Sequence, residues 1–105
     1  MTDSLERAHE ALQNNDYYHV RQLANAARAE PNPKPTEHLH KIATLLFDAA
    51  QQARKQGQLE EAENCIIACW NRAAVLQDGK LRQEINTEWD AIYDARDTAP
   101  SLDVH

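Results

Sequence analysis

Two Glu-x-x-His spacings are the strongest candidates for metal chemistry in this sequence, Glu6 to His9 and Glu37 to His40. On a helix, this spacing places a carboxylate and an imidazole on one face, as in di-iron helical bundles. Both pairs fall at or near the predicted start of a helix, where acidic side chains interact favourably with the helix dipole. No companion glutamates fall on a clearly buried face. We therefore predict solvated helix-start residues, no metal ligands and no cofactor.

The remaining reactive side chains do not form a catalytic pattern. Cys65 and Cys69 are four residues apart in a helical pattern, a spacing that suits two packed thiols better than a disulfide. His38 and His40 are two residues apart, so on a helix they point in different directions. No serine, cysteine or lysine has a convincing histidine and orienting acid, and there is no glycine-rich phosphate loop. The sequence predicts a protein without catalytic residues, with a metal-dependent helical enzyme as a remote alternative.

Length and charge narrow the class of partner. The chain has 105 residues, enough for one domain, and 42% of them are hydrophobic. Seventeen acidic and eleven basic residues give a formal charge of -6, which disfavours nucleic acid and anionic membrane surfaces. No apolar stretch approaches the roughly 20 residues that span a bilayer, and the N-terminal residues lack the pattern of a secretory signal. We expect a cytoplasmic protein that binds another protein.

Apolar residues at three-four spacing predict five helices, and glycine and proline fall between them. No stretch alternates with the period of a strand, so the predicted class is all-α. We expect a single domain over residues 1–96 and a flexible tail over 97–105. The predicted helices cover residues 3–14, 16–29, a third segment from an N-cap at Thr36 to Gly57, 59–76 with a stop at Asp78-Gly79, and 80–96.

The fifth predicted helix has one apolar stripe that can cover the end of a helical stack. The stripe consists of Leu81, Ile85, Trp89 and Ile92. Acidic residues take the positions predicted to face solvent, namely Glu84, Glu88, Asp90 and Asp94. Trp70 and Trp89 are predicted to pack between the fourth and fifth helices, with an exposed binding surface as the alternative.

An internal repeat relates the first two helical pairs. A shift of 42 residues places the turn Asn15-Asp16-Tyr17 on Gly57-Gln58-Leu59, and Ala8 on Ala50. With Pro31 after the first pair, these turns and small residues resemble the tetratricopeptide repeat family over about residues 3 to 77. The resemblance implies five antiparallel helices, arranged as two helical hairpins and a C-terminal capping helix. An irregular five-helix bundle is the alternative.

The resemblance also implies a function. In tetratricopeptide proteins, the first helix of each hairpin lines a groove that receives a peptide or a helix of a partner protein. Carried over through the turn alignment, the groove residues are Leu5, His9, Leu12, Gln13, Phe47, Gln51, Arg54 and Lys55. We therefore predict a non-catalytic adaptor or small chaperone in which Arg54 and Lys55 bind an acidic group. Phe47→Ala and Arg54→Glu are expected to abolish capture of the partner and to leave helicity intact.

Self-association is the second functional hypothesis. Trp70, Trp89 and Tyr93 are large aromatic residues on or near one surface of the last two helices, and such residues are frequent in protein interfaces. A two-fold dimer through this surface would need no ligand in the groove. The sequence leaves the adaptor and the homodimer open as alternatives.

Overall fold

The computed structural model of the chain describes residues 4–98, and these residues form five α-helices without a strand. The predicted all-α class is therefore confirmed. The helices are α1 (Ser4–Gln13), α2 (Tyr17–Ala29), α3 (Pro35–Lys55), α4 (Leu59–Leu76) and α5 (Gly79–Thr98). Within residues 4–98, no helix is long and apolar enough to cross a membrane.

Aspartate residues cap two of the helices at their N-termini. The Asp16 carboxylate accepts a hydrogen bond from the backbone N–H of His19 at the start of α2, at 3.3 Å. The Asp78 carboxylate accepts one from the N–H of Leu81 at the start of α5, at 3.1 Å. Each carboxylate satisfies an N–H that has no partner within its helix and also interacts with the positive end of the helix dipole.

Two of the residues predicted to begin or stop a helix were wrong. Thr36 does not cap α3, because the helix already begins at Pro35, where the missing N–H of proline costs no hydrogen bond. Gly79 does not end α4, because it is the first residue of α5. The backbone instead reverses at Gln77, which has a left-handed φ of 56° and donates its N–H to the carbonyl of Ala73.

The buried residues form one core to which all five helices contribute. Where the helices cross, many of the fully buried side chains are alanines, for example Ala8, Ala50 and Ala62. Small side chains allow the helix axes to approach closely, and isoleucines such as Ile66 and Ile85 fill the wider spaces. This pattern agrees with the small residues that the internal repeat places at the helix crossings.

Polar contacts show the relative direction of alternate helices. Arg21 and Asn25 of α2 contact Glu61 and Arg72 of α4 respectively, so residue numbers rise together along both helices. The same holds for α3 and α5, where His40 lies beside Asp78 and Arg54 beside Glu88. Consecutive helices pack on each other, and α3 also contacts both α1 and α5. The fold therefore has one side formed by α1, α3 and α5, and another formed by α2 and α4.

The two tryptophans connect α4 to α5. The rings of Trp70 and Trp89 meet edge to face with their centroids 6.3 Å apart, and the Arg82 guanidinium lies 5.1 Å from the Trp70 ring centroid. The predicted packing of these tryptophans between the fourth and fifth helices is confirmed. At the other end of α4, Arg96 of α5 forms an ion pair with Glu63.

The last helix differs from the prediction at two places. It continues to Thr98, two residues beyond the predicted end at Arg96. Glu88, which was predicted to face solvent, is only 4% exposed because its carboxylate is turned towards Arg54 of α3. Most of the predicted flexible tail, residues 99–105, lies outside the described residues.

Candidate partner-binding groove

A groove runs between α3 and α5. At one end it contains a cavity of about 470 Å³ lined by Phe47, Gln51, Lys80, Gln83, Glu84, Thr87 and Glu88. It adjoins a cavity of about 210 Å³ that shares Phe47, Lys80 and Glu84 and adds His40, Thr44, Asp78 and Leu81. A third cavity, of about 730 Å³, shares His40 and Asp78 and extends to Lys34 and Leu76. Neighbouring cavities share lining residues, and we call the surface that they follow the α3–α5 groove.

Phe47 lies where the two inner cavities of the groove meet. Its ring is half-buried and packs against the core, so one part of it is supported while another part faces the groove. Around it, Thr44 and Gln51 of α3 and Thr87 of α5 provide hydroxyl and amide groups. An apolar centre with a polar margin is the usual composition of a protein-binding surface.

An ion pair closes one end of the groove. The Arg54 guanidinium donates to the Glu88 carboxylate through Nε at 2.5 Å and through Nη2 at 3.3 Å. The hydrogen bond to Glu88 is also the main reason why the pKa of Arg54 is raised. Arg54 is therefore committed to an acid of its own chain, and its predicted role of binding an acidic group on a partner has no structural support.

This ion pair also changes the expected result of one substitution. Arg54→Glu would place two carboxylates together at a site where Glu88 is almost fully buried. Like charges at short distance repel strongly in such a site. We therefore expect Arg54→Glu to impair folding, and it is unsuitable as a test of binding alone.

The predicted groove residues are distributed over separate places. Phe47 and Gln51 line the α3–α5 groove, whereas Leu5 lines another cavity, of about 280 Å³, together with Lys34 and Lys41. Leu12 packs against the core, and its carbonyl accepts a hydrogen bond from Gln52 at 2.9 Å. His9, Gln13 and Lys55 are exposed. The α1 residues therefore do not share the cavities that surround Phe47.

The contribution of α5 to the groove was not predicted from the sequence. Lys80, Glu84 and Thr87 line it together with Phe47, although the acidic side of this helix was assigned to solvent. Their three-four spacing places them on one side of α5, and this spacing can be read from the sequence. The spacing does not show which neighbouring helix that side of α5 faces.

Asp48 follows Phe47 in the chain, and its surroundings disfavour the charged form of its carboxyl. Asp48 is an exposed residue, but partial desolvation of its carboxyl raises the pKa, and the interaction with His9 opposes that shift. Because the folded state holds the proton more tightly than the unfolded state does, the ionised carboxylate lowers stability above the folded pKa. This loss of stability disappears as the pH falls through that pKa.

We therefore expect Asp48→Asn to raise the free energy of unfolding at pH 7 and to lose this advantage progressively in acid. Urea unfolding at several pH values measures the effect. Asp90→Asn on the exposed surface of α5 is the matched control, for which we expect little change. A lower stability of Asp48→Asn than of the unmodified chain at pH 7 would contradict the assignment.

The contacts and burial of His38, His40 and the two cysteines indicate structural roles for these residues. His38 donates from Nε2 to the carbonyl of Ala27 at 2.8 Å, near the C-terminal end of α2. His40 lies 3.6 Å from the Asp78 carboxylate. Within residues 4–98, no group of three or more histidine, cysteine, aspartate or glutamate side chains is placed to hold a metal ion.

Cys65 and Cys69 are free and buried, as predicted, and burial raises the pKa of each thiol to about 12.

No protein-family model matches this chain, and comparison with curated proteins and with solved structures finds no significant match. The likeness to tetratricopeptide repeats therefore stays a prediction from the sequence.

Proposed function

We propose that this chain is a non-catalytic adaptor or small chaperone that holds a segment of another protein in the α3–α5 groove. The observation that carries the proposal is the position of Phe47, half-buried where two cavities meet and bordered by hydroxyl, amide and charged side chains. A supported aromatic ring in a concave site provides apolar contact area at low entropic cost, as interface hot spots do. A cytoplasmic location is part of the proposal.

The order of the helices supports a tetratricopeptide-like role for this groove. Alternate helices contact each other with residue numbers rising together, and three-residue connections join α1 to α2 and α3 to α4. Both features are expected of stacked antiparallel hairpins closed by α5. In such a stack, α1, α3 and α5 are the groove-lining helices, and the α3–α5 groove lies between two of them.

The dimensions of the groove suit a short segment of a partner. From His40 to Gln51, the α3 side of the two cavities that Phe47 lines is about 17 Å long at the usual rise of an α-helix. That length matches about three turns of a partner helix or about five residues of extended chain. The exposed side chains of Lys80 and Glu84 line the groove from α5, so this helix offers an exposed charge of each sign to the bound segment.

Site-specific photo-crosslinking tests the proposal. A benzophenone amino acid is introduced at Gln51, at Thr87, or at Arg7 on the exposed surface of α1 as the control. In cells of the native host, we expect the two groove positions to give the same adduct with another protein and Arg7 to give none. The adduct from Gln51 should be lost when Phe47 is also changed to alanine, while circular dichroism remains unchanged.

Two results would reject the proposal. One is the absence of any hetero-adduct from both Gln51 and Thr87 while the tagged chain is well expressed. The other is a set of adducts that is the same from Arg7 as from the groove positions, because this would indicate random collision.

A further inference from the structure

Arg72 of α4 is a buried cation without an acidic partner among residues 4–98. It is only 6% exposed. Its Nη2 donates to the side-chain oxygen of Asn25 on α2 at 2.5 Å, and its buried Nε has no hydrogen-bond partner. The contact with Asn25 does not neutralise the guanidinium, because an amide carries no charge. Buried charges in proteins are normally paired, so Arg72 departs from the usual pattern.

The acidic residues of α2 and α4 do not supply the missing partner. Helix α2 has none, and those of α4 are Glu60, Glu61 and Glu63. Even Glu63 precedes Arg72 by nine residues, which is about 13.5 Å along the helix axis. Glu61 and Glu63 already form ion pairs with other arginines. Glu30, which follows α2, accepts a hydrogen bond from a serine hydroxyl of α1 at 3.0 Å.

A second arginine adds to the positive charge beside Arg72. Arg28 is exposed and follows Asn25 by three residues on α2, so both side chains lie on the same side of that helix. Burial lowers the pKa of Arg72, and the positive charge of Arg28 lowers it further. The Cys69 thiol also interacts with Arg72, but its pKa is raised to about 12, so it is neutral at pH 7. Two cations therefore lie together without a neutralising group.

The guanidinium of Arg72 lies directly beneath the surface. Its Nη2 contacts Asn25, which is an exposed residue. Ala29, one turn after Asn25 on the same side of α2, is exposed and has a small side chain. The amide oxygen of Asn25 thus occupies a position that an oxygen of a bound anion can take after rotation of the amide.

We infer that Arg28 and Arg72, together with Asn25, bind a phosphate group. These three residues form what we call the arginine site. It lies on α2 and α4, apart from the residues of the α3–α5 groove, and it does not depend on the proposed function.

The number of charges favours phosphate over carboxylate. Arg28 and Arg72 carry two positive charges, and a carboxylate neutralises only one of them. A phosphate group carries about 1.5 to 2 negative charges at pH 7 and has three strong acceptor oxygens. Guanidinium groups donate paired hydrogen bonds to phosphate oxygens, so one phosphate can accept from both arginines. The amide N–H groups of Asn25 provide a further donor.

The net charge of the chain is compatible with a local phosphate site. The charge of -6 was predicted to disfavour nucleic acid and anionic membranes, which present many phosphates over a wide surface. A single phosphate group interacts mainly with charges inside the Debye length of about 8 Å at physiological ionic strength. Along α4, the nearest acid is farther than this from Arg72. The expected ligand is therefore one phosphate group and not a polyanion.

Titration with inorganic phosphate, followed by NMR of the arginine Nε–H signals at constant ionic strength in chloride, tests the site. We expect saturable shifts of the Arg72 and Arg28 signals and none of the signal of Arg7, which is exposed on α1. Arg28→Met should weaken binding at least about tenfold, because it removes hydrogen bonds between charged groups. Arg7→Met is the matched control and should bind phosphate as the unmodified chain does.

Phenyl phosphate distinguishes two sources of the phosphate group. Tighter binding of phenyl phosphate than of inorganic phosphate would assign the site to a phosphate ester, and weaker binding would assign it to the free ion. Both results support the inference if Arg28→Met weakens the binding.

Arg72→Met separates a phosphate site from a structural arginine. In chloride, we expect no loss of stability in urea, because the variant removes a buried charge that has no partner. Phosphate should raise the unfolding midpoint of the unmodified chain in a saturable way, since it binds the folded state. For Arg72→Met, only the small general stabilisation by excluded phosphate should remain.

Three results would overturn the inference. They are the absence of a saturable shift of the Arg72 signal, an equal response of Arg7, and an equal gain from phosphate in Arg72→Met and the unmodified chain. Because these measurements use no groove ligand, their failure leaves the proposed groove function unaffected. A failure of the groove crosslinking likewise leaves the phosphate test valid.

Discussion

Replacing Arg54 with methionine is expected to lower the free energy of unfolding by about 3 kcal/mol, because the Glu88 carboxylate would remain buried without its partner. Glu88 is 4% exposed, and the ion pair supplies the hydrogen bonds that its two oxygens accept. The side chain of Arg54 is 27% exposed, so water can partly replace it. We therefore expect a loss of unfolding free energy at the lower end of the range found when one partner of a buried ion pair is removed.

Three variants isolate this effect in urea unfolding. Arg54→Met combined with Glu88→Met removes both charges, and we expect it to recover most of the lost stability, since well-packed apolar pairs often replace buried ion pairs at little cost. Arg96→Met breaks the more exposed pair with Glu63 and should cost less than about 1 kcal/mol. The assignment fails if Arg54→Met is no more destabilising than Arg96→Met, or if the double variant is less stable than Arg54→Met.

Truncating Ile85 to alanine is expected to cost about 2 to 5 kcal/mol, because this fully buried side chain fixes α5 to the rest of the core. Helix α5 contacts α3 and α4, so a cavity at Ile85 weakens the attachment of the helix that lines one side of the α3–α5 groove. The fluorescence of Trp70 and Trp89 reports the local contact between α4 and α5, and circular dichroism reports total helicity.

A graded series serves as the control for Ile85. Ile85→Val removes one methyl group and should cost about 0.5 to 1.5 kcal/mol. If fluorescence and circular dichroism give the same unfolding transition for Ile85→Ala, α5 unfolds together with the core. A cost for Ile85→Ala no greater than that of Ile85→Val would show that α5 is not held through this contact.

The sequence by itself determined the class, the number of helices and most of the buried positions. Three-four spacing predicted the stripe that contains Ile42, Leu46 and Ala49 on α3, and each of these residues is fully buried. The boundaries of α4 were also correct, since Leu59 and Leu76 are its first and last residues. These features are local, because periodicity and capping depend on residues within a few positions of each other.

Only the tertiary structure decided the role of individual polar residues. Arg54 and Glu88 are 34 positions apart, so nothing local indicates that they pair or that Glu88 is buried. The same applies to the contribution of Lys80 and Glu84 to the groove. A helical pattern shows which side of one helix is polar, but which neighbouring helix that side faces depends on how the helices pack. That packing depends on the shapes of all the core side chains together, and periodicity within a single helix does not contain this information.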